Sequence, residues 1–120
     1  MDLFTVSFMI PGTLAANHTF IWTAPRECTL LHASVSNSSA NAGTITIGDS
    51  ADADEYLTAS AFGVSDTPVE YDGGDFVDTS GATHTRYYPR IVDGTVVKVL
   101  VTDHGSHMAN VSVVLTLADG

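Results

Sequence analysis

GTVVKVLVTDHGSHMANVSVVLTLADG, residues 94 to 120, is the stretch that points to the fold class. Read at period two, Val97, Val99 and Val101 share one face of a strand, and Val111, Val113, Leu115 and Leu117 share one face of another. The Asp103-His104-Gly105-Ser106-His107 segment between them has polar and glycine turn chemistry, and no apolar run at i, i+3, i+4 supports a helix. The pattern predicts a half-buried antiparallel hairpin. Burying such side chains against a second layer is worth roughly 1.5 to 3 kcal/mol each before conformational entropy is subtracted. A hairpin with that much apolar surface needs a facing sheet, which the earlier strands must supply.

Working back from this segment, the chain reads as a series of short strands. Residues 3 to 10, LFTVSFMI, place Phe4, Val6, Phe8 and Ile10 on one face and stop at Pro11-Gly12. Residues 18 to 24, HTFIWTA, stop at Pro25; Trp22, the single tryptophan, is expected in the core. Residues 28 to 37 align Leu31, Ala33 and Val35, SNSSANAG reads as a loop, and GTITIGD at 43 to 49 is a fourth strand. The period then changes. ADADEYLTASAF, residues 51 to 62, has acids at its start and helix-tolerant Ala and Leu, which predicts one short helical turn near 52 to 60 with Asp52 as its cap. Pro68 to Tyr71 is a fifth strand closed by Asp72-Gly73-Gly74, and RYYPRIV resembles an edge strand because Pro89 lacks an N–H. With the terminal pair this predicts an all-β fold, an antiparallel β-sandwich of about eight strands in one domain over residues 1–120. A jelly roll is favoured over an immunoglobulin-like topology, because the single Cys28 leaves no intersheet disulfide.

Charge excludes whole classes of partner. The chain has 14 acidic and 4 basic residues, a formal net charge of −10 in 120 residues. Arg26, Arg86, Arg90 and Lys98 are too few to neutralise a nucleic acid backbone or to hold an anionic membrane surface. No signal peptide or membrane span is expected. Cys28 opens an apolar strand and reads as a buried free thiol rather than a nucleophile.

Few constellations suggest chemistry. Asp49, Asp52, Asp54 and Glu55 crowd four carboxylates into seven residues, which reads first as a solvated acidic face and only weakly as a Ca²⁺ candidate, since it lacks the glycine and distal glutamate of an EF-hand. His104 and His107 flank the last turn while His18, His32 and His84 are scattered, with no zinc-site spacing. There is no Gly-x-Ser-x-Gly elbow, no catalytic cysteine motif and no phosphate-cradling loop, so no enzyme and no cofactor is expected. Asn17, Asn37 and Asn110 match the glycosylation acceptor pattern by chance.

HTFIWTAP, LLHASVSNSSANAGTITIGDSADADEYLTA, GVSDTPVEYD and the 94 to 120 segment resemble small proteins encoded among the structural genes of tailed bacteriophages. These are similar in size and β content to capsid decoration, or cement, proteins. The resemblance covers most of the chain outside roughly residues 75 to 90. It implies a virion protein on the capsid outer surface, made in the host cytoplasm, with the major capsid protein of a phage shell as partner, a homotrimeric state and no catalytic residue. It carries over no site residues. The residues themselves suggest that Arg86, Tyr87, Tyr88 and Arg90 form an interface, since they combine favoured anchors with the only clustered positive charge. Few lysines are available to blunt sheet edges, so the edges are expected to be covered by a partner or a symmetry mate. The alternative is a carbohydrate- or receptor-binding module of a fibre or tail tip, using Tyr87, Tyr88 and Trp22; adjacent tyrosines in a strand point to opposite faces, which weakens it.

Overall fold

The computed structural model describes residues 2–76 and 88–119. Among these lie nine strands: β1 (Leu3–Thr13), β2 (His18–Thr23), β3 (Cys28–Ser36), β4 (Thr44–Asp49), β5 (Leu57–Ala61), β6 (Val69–Tyr71), β7 (Arg90–Ile91), β8 (Val96–Thr102) and β9 (Ala109–Asp119). They form two antiparallel sheets packed as a sandwich. One has the order β1-β9-β3-β6, with β7 also paired to β3; the other has the order β2-β8-β4-β5. Apart from the two-residue β7, the partners nest as β1 with β9, β2 with β8, β3 with β6 and β4 with β5, alternating between the sheets. The winding is jelly-roll-like.

The seven apolar side chains of the terminal segment are all buried, as their alternation predicts: Val97, Val99, Val101, Val111, Val113, Leu115 and Leu117 are each at most 1% exposed. Their pairing differs from the predicted hairpin. β8 lies between β2 and β4 in one sheet, and β9 lies between β1 and β3 in the other, so the two strands meet face to face across the core. Period two fixes which face of a strand is buried and leaves its edge partner open. The connection must therefore step between layers about 10 Å apart, and Asp103 holds that step. Its carboxylate accepts the N–H groups of His104 at 2.9 Å and Met108 at 2.8 Å, and lies 2.7 Å from the His107 ring. Met108 then plugs the core, fully buried.

The helical turn expected near 52 to 60 is absent; no helix occurs among the described residues, and β5 occupies Leu57–Ala61. Short acidic side chains compete with helix formation by binding nearby backbone. Asp49 Oδ1 accepts the N–H groups of Ala51 and Asp52, and Asp52 Oδ1 accepts that of Asp54. The chain thus turns back at once. Leu57 comes opposite Ile47 and sinks into the core. Asp52 is a turn cap rather than a helix cap.

One end of the sandwich is tied by a buried polar group. Asn37, 1% exposed, donates from Nδ2 to the carbonyl of Gly63 at 2.9 Å and accepts at Oδ1 from Ser39 N–H at 2.9 Å. It joins the end of β3 to the loops on either side. Asn110 Nδ2 donates to Ser38 Oγ and its Oδ1 accepts from Gly12 N–H, while Asn17 Oδ1 accepts from Asp103 N–H. The three asparagines of the acceptor pattern are thus structural clasps, and Asn37 is out of reach of any modifying enzyme in the folded chain.

Candidate assembly surface

β1 and β2 are the edge strands of the two sheets, and they border the same flank of the sandwich. Their inward residues meet there: Phe8 stacks on Phe20 with ring centroids 4.6 Å apart, and Phe4 tilts against Trp22 at 6.4 Å. His18 adds an edge-on contact to Phe20 at 4.7 Å. Alternation along LFTVSFMI and HTFIWT sends these side chains inward as expected, yet Phe4, Val6, Phe8, Ile10, Phe20 and Trp22 remain only partly buried against the core. Among the described residues, no strand lies beyond either edge to cover them. The result is an aromatic seam along an open side, flanked by Leu3, Met9 and Ile21, which are 63%, 69% and 63% exposed. Trp22 is thus a wall of the core rather than part of its interior.

The opposite flank is closed. β6 is only three residues long, and the Tyr71 hydroxyl donates across the layers to the carbonyl of Ala61, at the end of β5. Gly63 makes a parallel bridge to Ser36, and its N–H donates to Val35. Charged residues also mark this side, with Glu70 in β6 near His32 at 3.3 Å. By contrast, residues 3 to 25 contain no Asp, Glu, Lys or Arg. Natural edges are usually blunted by charge, bulges or brevity. Here only the far end of β1 is, where the pairing with β9 slips between Ile10 and Thr13.

Of the interface residues expected from sequence, the two that are described, Tyr88 and Arg90, lie elsewhere. Arg86 and Tyr87 fall outside the described residues. Tyr88 is 53% exposed, and its ring lies over Gly73, where an added Cβ would sit 2.7 Å from it. Arg90 is exposed and paired with Glu27 at 3.0 Å. β7 joins β3 on the edge shared with β6, so Tyr88 and Arg90 are separated from β1 by β3 and β9. Arg26 pairs with Asp119 at 2.9 Å, beside a recess at one end of the seam lined by Asp2, Leu3, Phe4 and Pro25. The carboxylates of Asp49 and Asp52 serve their own turn, and among the described residues no group of three or more His, Cys, Asp or Glu side chains converges as metal ligands would. His104 and His107 are likewise engaged in the loop, His104 Nδ1 accepting from Ser106 N–H at 2.9 Å. His84 lies outside the described residues.

Two titratable groups report on the interior. Cys28 is fully buried; burial pushes its thiol up, the Asp119 and Glu27 carboxylates add to this, and Arg26 opposes it. A thiol held neutral in this way is no nucleophile at neutral pH. For Asp103, burial raises the carboxyl, but the hydrogen bonds from His107, Met108 and His104 and the charge interaction with His107 outweigh it and hold the group below its ordinary range. The sign follows from linkage: with the folded value depressed, the unfolded chain takes the proton first as pH falls. The Asp103 contribution is complete above the ordinary carboxylate value near 4 and declines below it. Urea titrations should therefore show wild-type stability falling faster than that of Asp103→Asn below about pH 4, with the two curves parallel above it. Parallel curves throughout would exclude the clasp.

The open seam itself was missed in the sequence. Its signal is the absence of any charge over residues 3 to 25 combined with edge placement, and the second half of that signal is topological. No family model matches the chain, and no curated protein does. Among solved structures, a chain of the cyanophage Pam1 capsid asymmetric unit is similar, with a TM-score of 0.56 and 20% sequence identity over 99% of this chain and 84% of that one, a likeness of fold.

Proposed function

We propose that this protein is a non-enzymatic structural component of a phage virion, a decoration protein that binds the capsid outer surface as a homotrimer and stabilises the shell. The observation that carries this reading is the fold shared over almost the whole chain with a component of a phage capsid asymmetric unit. The chemistry of the chain agrees with it. A strongly acidic sandwich does not compete for the nucleic acid packaged beneath a shell, and Asp49, Asp52, Asp103, Arg26 and Arg90 are engaged in turns and ion pairs. A protein that binds only the assembled shell stabilises it by mass action, and a symmetric oligomer multiplies each contact.

Under this reading the major capsid protein is the partner, and Tyr88 and Arg90, with Arg86 and Tyr87 beside them in sequence, contact the shell. Tyr88 is exposed, and Arg90 pairs with the solvent-facing carboxylate of Glu27, a pair worth about 1 kcal/mol or less and easily exchanged for a shell carboxylate. The test uses undecorated shells of the phage that encodes the chain. Added protein should sediment with them and raise their heat-disruption temperature, and Arg86→Ala with Arg90→Ala should weaken binding at least tenfold, as losing anchor contacts of about 1.4 kcal/mol or more requires. Absence of binding by the wild-type chain would refute the decoration role. Unchanged binding by the double variant would move the contact elsewhere.

A further inference from the structure

We infer that the open β1/β2 flank is a self-association surface, covered by the same flank of a second copy of this chain. The inference is drawn from the chain alone and holds whether or not a shell is the partner. Three observations carry it.

The first is surplus apolar area without a cover. The seam of Phe4, Phe8, Phe20 and Trp22 is only half-buried, and Leu3, Met9 and Ile21 beside it stand well exposed. Exposed apolar side chains on both edge strands, on either side of a half-covered aromatic seam, mark an interaction site. β1 presents an edge of eight regularly paired residues, Leu3 to Ile10, before its irregularity, and such an edge is a template for another strand.

The second is charge. With a net charge of −10, two copies repel over most approaches. Residues 3 to 25 form the one long edge region without a formal charge, so two copies can meet there without opposing carboxylates. The ion pair of Arg26 with Asp119 and the nearby Asp2 lie at one end of the seam, where a polar rim around an apolar centre belongs.

The third is size. At about 3.4 Å per residue, β1 runs about 37 Å, close to the 38 Å length of the molecule, and the thinnest dimension is 23 Å. A flank of those dimensions offers on the order of 800 Å², the share one partner contributes to a stable interface.

The experiment is sedimentation equilibrium of the full chain over a dilution series, with acrylamide quenching of Trp22, the single tryptophan, in the same samples. Wild type should show twice the chain mass of 12.6 kDa, and Trp22 should become more quenchable as the oligomer dilutes. Met9→Lys with Ile21→Lys places charge on two exposed flank positions that pack against nothing in the core. It should reduce the mass to one chain and make quenching independent of concentration, with the far-ultraviolet spectrum unchanged. Val92→Lys, at a position 62% exposed beside β7, should leave assembly intact. Should the first double variant fail to fold, Thr5→Lys with Ser7→Lys, both exposed on β1, takes its place. A monomeric wild type, or an oligomer that survives the flank lysines or dissociates with Val92→Lys, overturns the assignment. A mass of two chains would support the flank while refuting the trimer of the proposed function; a mass of three, which pairing of one flank with the same flank of a second copy does not give, would overturn the flank assignment and leave the trimer standing.

Discussion

Gly63→Ala is expected to lower the free energy of unfolding by more than about 3 kcal/mol, the range reached when backbone is forced apart in a closed site. An added Cβ would overlap the carbonyl oxygen of Thr67 and lie 2.8 Å from Val69 N and 3.0 Å from the Pro68 carbonyl carbon, so no flexible side chain can swing away to make room. The same residue receives the Asn37 backbone N–H and side-chain amide at its carbonyl, each at 2.9 Å. Displacing it opens the bridge to Ser36 and strips Asn37 of a buried acceptor. Urea unfolding at one fixed protein concentration measures the effect, since a self-associating chain has concentration-dependent stability. The control is Gly94→Ala, where an added Cβ meets nothing within 4 Å and the strain comes only from a φ of 83°; it should cost about 1 kcal/mol. Equal losses at the two positions would mean that the close packing around Gly63 is not what limits it.

Leu115→Ala should destabilise by about 2 to 5 kcal/mol, and Val114→Ala, one residue away, by less than about 1.5 kcal/mol. Leu115 sits in β9 between Val6 of β1 and Ala33 of β3, 1% exposed, facing the other sheet. Truncating it leaves a cavity that neighbours on three sides cannot fill. Val114 is paired with Ser7 and Ser34 on the outer face, where solvent takes up the lost volume. The ratio of the two losses tests the alternation itself. Comparable losses would indicate that the outer face of this sheet is also buried, as it would be if a partner covered the broad face instead of the flank.

Much of the strand content was readable from the residues. Alternation in LFTVSFMI, HTFIWT, CTLLHASVS and TITIGD located β1 to β4 within about three residues at either end, although in β3 a register shift between Leu30 and His32 buries Leu30 beside Ala33 and Val35 in place of the expected Leu31. Where short polar side chains govern the backbone, reading failed. ADADEYLTASAF has helical composition, yet Asp49 and Asp52 bind the backbone N–H groups two and three residues ahead, which bends the chain before a helix can nucleate. Phe62 and Phe76, among the largest fully buried side chains, have no alternating neighbours to announce them.

The assembly surface divides along the same line. The scarcity of lysine already implied edges that need covering, and the inward set Phe4, Val6, Phe8 and Ile10 was legible as one face. Which strands would be edges was not. Burial of alternate side chains is a property of a single strand and its local spacing, so Val97 to Val101 and Val111 to Leu117 revealed their buried faces directly. The edge partner of a strand is chosen by competition among all strands of the chain, across separations as long as that between Phe4 and Leu117. That competition placed β8 and β9 in opposite sheets, enclosed β9 between β1 and β3, and left β1 and β2 with one free edge each on the same open, uncharged flank.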